Sequence, residues 1–145
     1  MQVVSESVCV FVFRRRGARV EYLLLHRTPG RGGFWQSVSG RMEAGERAGA
    51  AAQREVREET ALDPVRLITL EKVNVFYNAA LEAIHLEPCF GAEVTSGAEP
   101  KLSAEHEAYR WSDAEEAERL LPFAGVREAF RELCAALGAE GGETG

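Results

Sequence analysis

The stretch Gly40-Arg41-Met42-Glu43-Ala44-Gly45-Glu46, followed after seven residues by Arg54-Glu55-Val56-Arg57-Glu58-Glu59-Thr60-Ala61-Leu62, decides the fold. Residues 47–60 contain no proline, are rich in Ala, Glu, Arg and Gln, and stop near Pro64, which predicts a helix. At 3.6 residues per turn, Glu55, Glu58 and Glu59 are neighbours at i, i+3 and i+4 and share one patch of that helix. Like charges at these spacings cost about 0.2–0.5 kcal/mol per pair, and Arg54 relieves only part of it through Glu58. A hard divalent cation with oxygen ligands would neutralise the patch, and Mg²⁺ takes one or two carboxylates and completes its shell with water and substrate phosphates. Ala48, Ala51 and Ala52 occupy the same face one turn earlier, where small side chains would let a glycine loop and a ligand approach. A Glu-rich helix alone is more often a solvated face.

Working outward, Val8–Phe13 and Val20–Leu25 are β-branched or aromatic runs around the turn-like Arg16-Gly17-Ala18. They predict a hairpin whose continuous apolarity implies cover on both faces. Thr28–Gly33 holds a proline, three glycines and an arginine, and predicts a mobile basic loop after Arg27. Residues 65–70, 73–77 and 84–94 predict further strands, with a turn at Asn78-Ala79-Ala80. Ser112-Asp113-Ala114-Glu115 has a capping-box pattern, and Val126, Phe130, Leu133, Cys134 and Leu137 fall at helical spacing before Gly138. Strands interleaved with three helices point to an α/β fold, a three-layer sandwich around a central mixed sheet. The domain is expected to span residues 1–137, with 138–145 a disordered tail.

The 145 residues are 46% hydrophobic and 28% charged, near globular averages, which excludes disordered and fibrous classes and predicts one domain. Lys+Arg 17 against Asp+Glu 23 gives a net charge of -6, and no basic run exceeds Arg14-Arg15-Arg16, so no nucleic-acid partner is expected. The longest apolar stretch falls far short of the roughly 20 residues that span a bilayer. The first residues lack a signal pattern, and Cys9, Cys89 and Cys134 form no Cys-x-x-Cys pair. A cytoplasmic protein with reduced thiols and no membrane partner is therefore expected; oligomeric state is not encoded legibly.

The glycine, five residues, Glu46, seven residues and Arg54-Glu55-x-x-Glu58-Glu59 together resemble the signature box of the Nudix hydrolases. Six identities of this kind arise by chance on the order of once in 10⁵ chains of this length. Ala61 stands where that family has glycine, at what would be a left-handed helix terminus. The resemblance implies a Nudix α/β/α sandwich, with Glu55, Glu58, Glu59 and the Gly40 carbonyl holding Mg²⁺, or Mn²⁺, and Arg54 orienting the carboxylates. Glu46 would play a supporting part. It also implies hydrolysis of a nucleoside diphosphate linked to another moiety, by water attacking phosphorus, with a further loop carboxylate as metal ligand or base. Glu105 and Glu107 are the candidates, Glu105 favoured.

Phe34-Trp35-Gln36-Ser37-Val38 and Glu105-His106-x-Ala108-Tyr109-x-Trp111 resemble one branch of that family, the bacterial dihydroneopterin triphosphate pyrophosphohydrolases. This implies a pterin or purine nucleoside triphosphate, cut to monophosphate and pyrophosphate. The rivals are a dATP or diadenosine-polyphosphate hydrolase and a non-catalytic binding module. A planar ring needs an aromatic clamp, for which Trp35, Phe34 and Tyr77 are candidates with Phe76 and Asn78, and Arg27 and Arg31 would add phosphate contacts. His26 and His85 read as structural.

Overall fold

A computed structural model describes residues 1–144, with side chains through residue 140. Its strands are β1 (Gln2–Val4), β2 (Ser7–Arg16), β3 (Arg19–Arg27), β4 (Trp35–Gln36), β5 (Val38–Arg41), β6 (Arg66–Asn78), β7 (Ala83–Glu93) and β8 (His106–Ser112). The helices are α1 (Ala48–Thr60), α2 (Ala114–Leu120) and α3 (Ala124–Thr144). The strands form one mixed sheet: β7 runs parallel to β1 and β2, and the other pairs are antiparallel.

The unbroken apolarity of β2 has the expected cause. Cys9, Phe11 and Phe13 join Tyr22, Phe130 and Leu133 beneath α2 and α3, while Val8, Val10 and Val12 join Ala51, Ala52 and Val56 beneath α1. Alternate side chains of one strand thus supply both cores of an α/β/α sandwich. The Ala51 and Ala52 side chains are spent on that packing, each fully buried, so they do not clear space for a ligand as their spacing suggested.

Several boundaries differ from the sequence reading. Residues 66–78 make one strand, not two, because the Glu132 carboxylate accepts from the Glu71 and Lys72 amides at 2.8 Å each where the register with β7 shifts. The N-cap of α2 is Asp113, whose side chain accepts from Glu116 N, one residue later than the capping-box reading. Helix α3 continues past Gly138 to Thr144, and Glu140 bridges Arg15 and Arg66 at 2.7 and 2.8 Å, tying that extension to the sheet. Of the expected tail, Gly145 and the side chains beyond residue 140 lie outside the described residues. Thr28–Gly33 is a turn rather than an open loop, closed by bonds from Arg31 N and Gly33 N to Thr28 O and from Gly32 N to Pro29 O.

One edge of β2 is shared. Its residues 7–10 pair with β5 and its residues 13–16 pair with β3, so the sheet divides between them. At that division, β5 meets α1, and the far end of β3 meets Glu105, whose carbonyl accepts from Thr28 N at 3.2 Å. No described helix is long and apolar enough to cross a membrane.

Candidate active site

Helix α1 ends where Ala61 takes the left-handed conformation, φ 59° and ψ 16°, with its N–H donated to Arg57 O. This is the geometry that favours glycine, adopted here by alanine at a cost of about 1–2 kcal/mol. The helix is held close to β5: a Cβ on Gly40 would lie 2.1 Å from the Glu55 carboxyl carbon and 2.2 and 2.4 Å from its oxygens. Only a residue without a side chain permits this approach.

Arg54 organises the carboxylates. It donates to Glu46 through Nε at 2.8 Å and Nη2 at 2.9 Å, to Glu55 and Glu58 through Nη1 at 2.9 and 3.1 Å, and to the Arg41 carbonyl at 2.8 Å. The planar fork explains why arginine serves here: one group spans three carboxylates in fixed geometry. Glu46 also accepts from Glu43 N at 2.9 Å, and Arg54 with that amide holds its carboxyl down at about 2. Glu46 therefore acts by anchoring Arg54.

Glu59 is almost fully buried and accepts from Ser39 N at 3.3 Å. Burial, and then its interaction with Glu105, pushes its pKa up to about 9. Burial also raises Glu55, against the pull of Arg54. Ligand atoms of Glu59, Glu105 and His106 lie within 4.8 Å of one another. An anionic cluster that must take up a proton to relieve itself is a setting that fits a hard cation, and its oxygen donors suit Mg²⁺ or Mn²⁺. Glu58 is more exposed and bound to Arg54.

Sequence reading missed His106. Gln36 accepts from Arg27 Nη1 at 3.2 Å through Oε1, so its amide nitrogen, 3.1 Å from His106 Nε2, is the donor. That assignment puts the imidazole proton on Nδ1, which is buried without a partner among the described residues, and burial lowers the ring's pKa. His106 is thus arranged as a neutral donor. Glu107, the other candidate, is exposed and paired with His26 Nδ1 at 2.8 Å, leaving Glu105 as the carboxylate at the cluster.

A cavity of about 520 Å³, bordered by Ser39, lies between the sheet and the start of α3. Arg27, Phe34, Phe76 and Tyr77 line it, as does Phe123, which sequence reading had not joined to them. Phe34 meets Phe123 edge-on at 5.6 Å, and Phe76 stacks on His85 at 4.8 Å. The Tyr77 hydroxyl is donated to Glu82 at 3.0 Å. Arg27 lies over Phe34 at 5.4 Å, and its buried Nε has no partner among the described residues. Trp35 is not part of the lining; it packs against the core, with the His26 ring edge-on at 4.8 Å and the Arg110 guanidinium at 5.6 Å. Its bulk is used by neighbours rather than offered to the cavity.

An arginine-organised acidic helix beside a ring-sized cavity, at the division of a mixed sheet, is the arrangement of a Nudix fold. The model of the NUDIX domain matches residues 5–134, and the chain belongs to this family. Among curated relatives, "Octanoyltransferase" of Myxococcus xanthus is 40% identical over 131 residues, covering 89% of this chain but 36% of that protein. This chain thus spans about a third of that relative's length. "Bis(5'-nucleosyl)-tetraphosphatase [asymmetrical]" of Sus scrofa is 32% identical, covering 85% of this chain and 88% of that one. "Dihydroneopterin triphosphate diphosphatase" of Escherichia coli (strain K12) is 31% identical, covering 88% and 90%. A NUDIX hydrolase structure from Listeria monocytogenes superposes with a TM-score of 0.81 at 30% identity, covering 93% of this chain and 95% of that one.

Proposed function

We propose that this protein is a Mg²⁺-dependent pyrophosphohydrolase, with Mn²⁺ an alternative metal, that cleaves a pterin or purine nucleoside triphosphate into monophosphate and pyrophosphate in the cytoplasm. The observation that carries this reading is that Ser39 both borders the ring-sized cavity and donates its N–H to Glu59 of the acidic cluster. A planar ring in the cavity would direct its phosphates toward the carboxylates.

In this reading Glu55, Glu58, Glu59, Glu105 and the Gly40 carbonyl would hold the metal. A bound divalent cation supplies charge neutralisation on the phosphate oxygens and orients the groups that react. Arg54 fixes the carboxylates so that they need not reorganise during the reaction. Glu105 takes the proton of the water that attacks phosphorus, as the phosphoanhydride bond breaks and pyrophosphate leaves. The unpartnered Arg27 Nε points to a phosphate oxygen as its partner, because a buried donor left unmade costs about 1–3 kcal/mol. Phe34 and Phe76, with Tyr77, enclose the ring, while Trp35 packs against the core outside the lining.

The asymmetrical tetraphosphatase relative supports a second reading, cleavage of a dinucleoside polyphosphate. A hydrolysis panel of dihydroneopterin triphosphate, the common NTPs and dNTPs, ADP-ribose and diadenosine polyphosphates separates the two. Pyrophosphate and a monophosphate as products support the first; turnover confined to diadenosine polyphosphates supports the second. No turnover of any substrate supports a binding module.

A further inference from the structure

The cavity is mostly apolar, but one carboxylate faces into it. Glu87 lies on β7, directly across from Asn74 on β6, and both line the cavity. Its Oε1 accepts from Asn74 Nδ2 at 2.7 Å and its Oε2 from Ser7 Oγ at 2.6 Å. Among the described residues it has no cationic partner. Asn74 is 4% exposed, and a Cβ on Gly125 would lie 2.1 Å from its Oδ1, so the start of α3 closes directly over this amide. The carboxylate is therefore held at both oxygens by neutral donors and aimed by them.

An ionised carboxylate accepts and cannot donate, and each oxygen carries two lone-pair directions. With one direction on each oxygen used by Asn74 and Ser7, one on each remains. Two adjacent ligand donors satisfy them together. We propose that Glu87 is the specificity-determining residue of the cavity and selects rings presenting a ring N–H beside an exocyclic NH₂. This is the 2-amino-4-oxopyrimidine edge shared by guanine and pterin. Adenine offers a ring acceptor beside its amino group, which places a lone pair against one carboxylate oxygen. Sites built to pair with specific polar groups discriminate strongly when those groups go unpaired. Asn74 and Ser7 act as positioning residues.

The inference rests on the hydrolase reading for its substrates but not for its test. Binding of dGMP and dAMP to the metal-free protein, followed by tryptophan fluorescence or calorimetry, requires no turnover. The wild type is expected to bind dGMP at least tenfold more tightly, and kcat/KM for dGTP is expected to exceed that for dATP by at least thirtyfold. Glu87→Gln, near-isosteric, keeps one acceptor and turns the other position into a donor, and should bring both ratios below threefold. A merely structural role would weaken both bases equally and leave the ratios intact. Ser7→Ala, outside the cavity lining, should reduce the ratios severalfold and gives a second route should Glu87→Gln fold poorly. Preference for adenine, or ratios unchanged in either variant, overturns the inference. Guanine-selective binding without hydrolysis of any triphosphate upholds it and overturns the hydrolase reading instead.

Discussion

Gly40→Ala tests the contact on which the metal-site geometry depends. The added carbon would lie 2.1 Å from the Glu55 carboxyl carbon, whereas carbon atoms settle at about 3.5–4.0 Å, so more than about 1 Å of displacement is required. Helix α1 cannot retreat cheaply, because Ala51, Ala52 and Val56 are fully buried against the sheet. The carboxylate moves instead, and its 2.9 Å bond to Arg54 is lost. Moving the end of one side chain places the stability cost at the low end of overpacking, about 1 kcal/mol. Catalysis is far less tolerant: a 1 Å misplacement can cost about 10²-fold. Urea unfolding should thus show a small shift in midpoint, while Mg²⁺-dependent pyrophosphate release falls about a hundredfold. Gly49→Ala on the same helix is the control, since its new carbon would meet Leu67 at an ordinary 3.5 Å, and its activity should match the wild type. Activity of Gly40→Ala within threefold of wild type would refute the reasoning.

Ala61→Gly relieves the left-handed helix end and should stabilise the protein by about 0.5–1 kcal/mol after the extra freedom of the unfolded chain is subtracted, read as a higher midpoint in urea. The pH dependence of the metal-free protein follows from Glu59, whose pKa of about 9 exceeds its unfolded value near 4.5. Between those values the folded state binds more protons than the unfolded one, so stability falls as pH rises from about 5 to 9. The depressed Glu46, Glu99 and Glu140 act oppositely, their contribution being lost as pH falls below about 4.5. His106, lowered by burial, opposes Glu59 below its unfolded value near 6.5. Thermal melts in EDTA should therefore show greater stability at pH 5 than at pH 8, and Glu59→Gln should flatten that difference; a wild type more stable at pH 8 contradicts the burial argument. Glu105→Gln should slow hydrolysis at least tenfold while Glu107→Gln leaves it within threefold, and the reverse result would move the base by two residues.

Much of this was legible because the relevant spacings are local. The i, i+3, i+4 carboxylates, the Arg54–Glu58 pair and the left-handed Ala61 are consequences of one helix and its end. The two-sided burial of β2 followed from its composition, since a strand apolar at every position must be covered twice. What was missed depends on pairing between distant segments. Ala51 and Ala52 share the carboxylates' side of the helix in projection, but the close approach of α1 to the sheet turns them into the core. Trp35 looked like a ligand clamp until strand pairing set it among His26 and Arg110. Asn74 and Glu87 carried one usable signal: they are polar residues in strand-like runs, each four positions from the hairpin's last pair, Asn78 and Ala83. The contact of His106 with Gln36 required knowing that β8 returns beside β3, which no local pattern announced.

The most direct test of the central account is turnover of dihydroneopterin triphosphate by wild type and Glu59→Gln, each with Mg²⁺ and with EDTA, with both products quantified. Equimolar monophosphate and pyrophosphate from the wild type with Mg²⁺ only, and at least a hundredfold less from Glu59→Gln, is the expected result. Turnover that persists in EDTA, or a Glu59→Gln rate close to wild type, would contradict the assignment of the acidic cluster as the catalytic metal site.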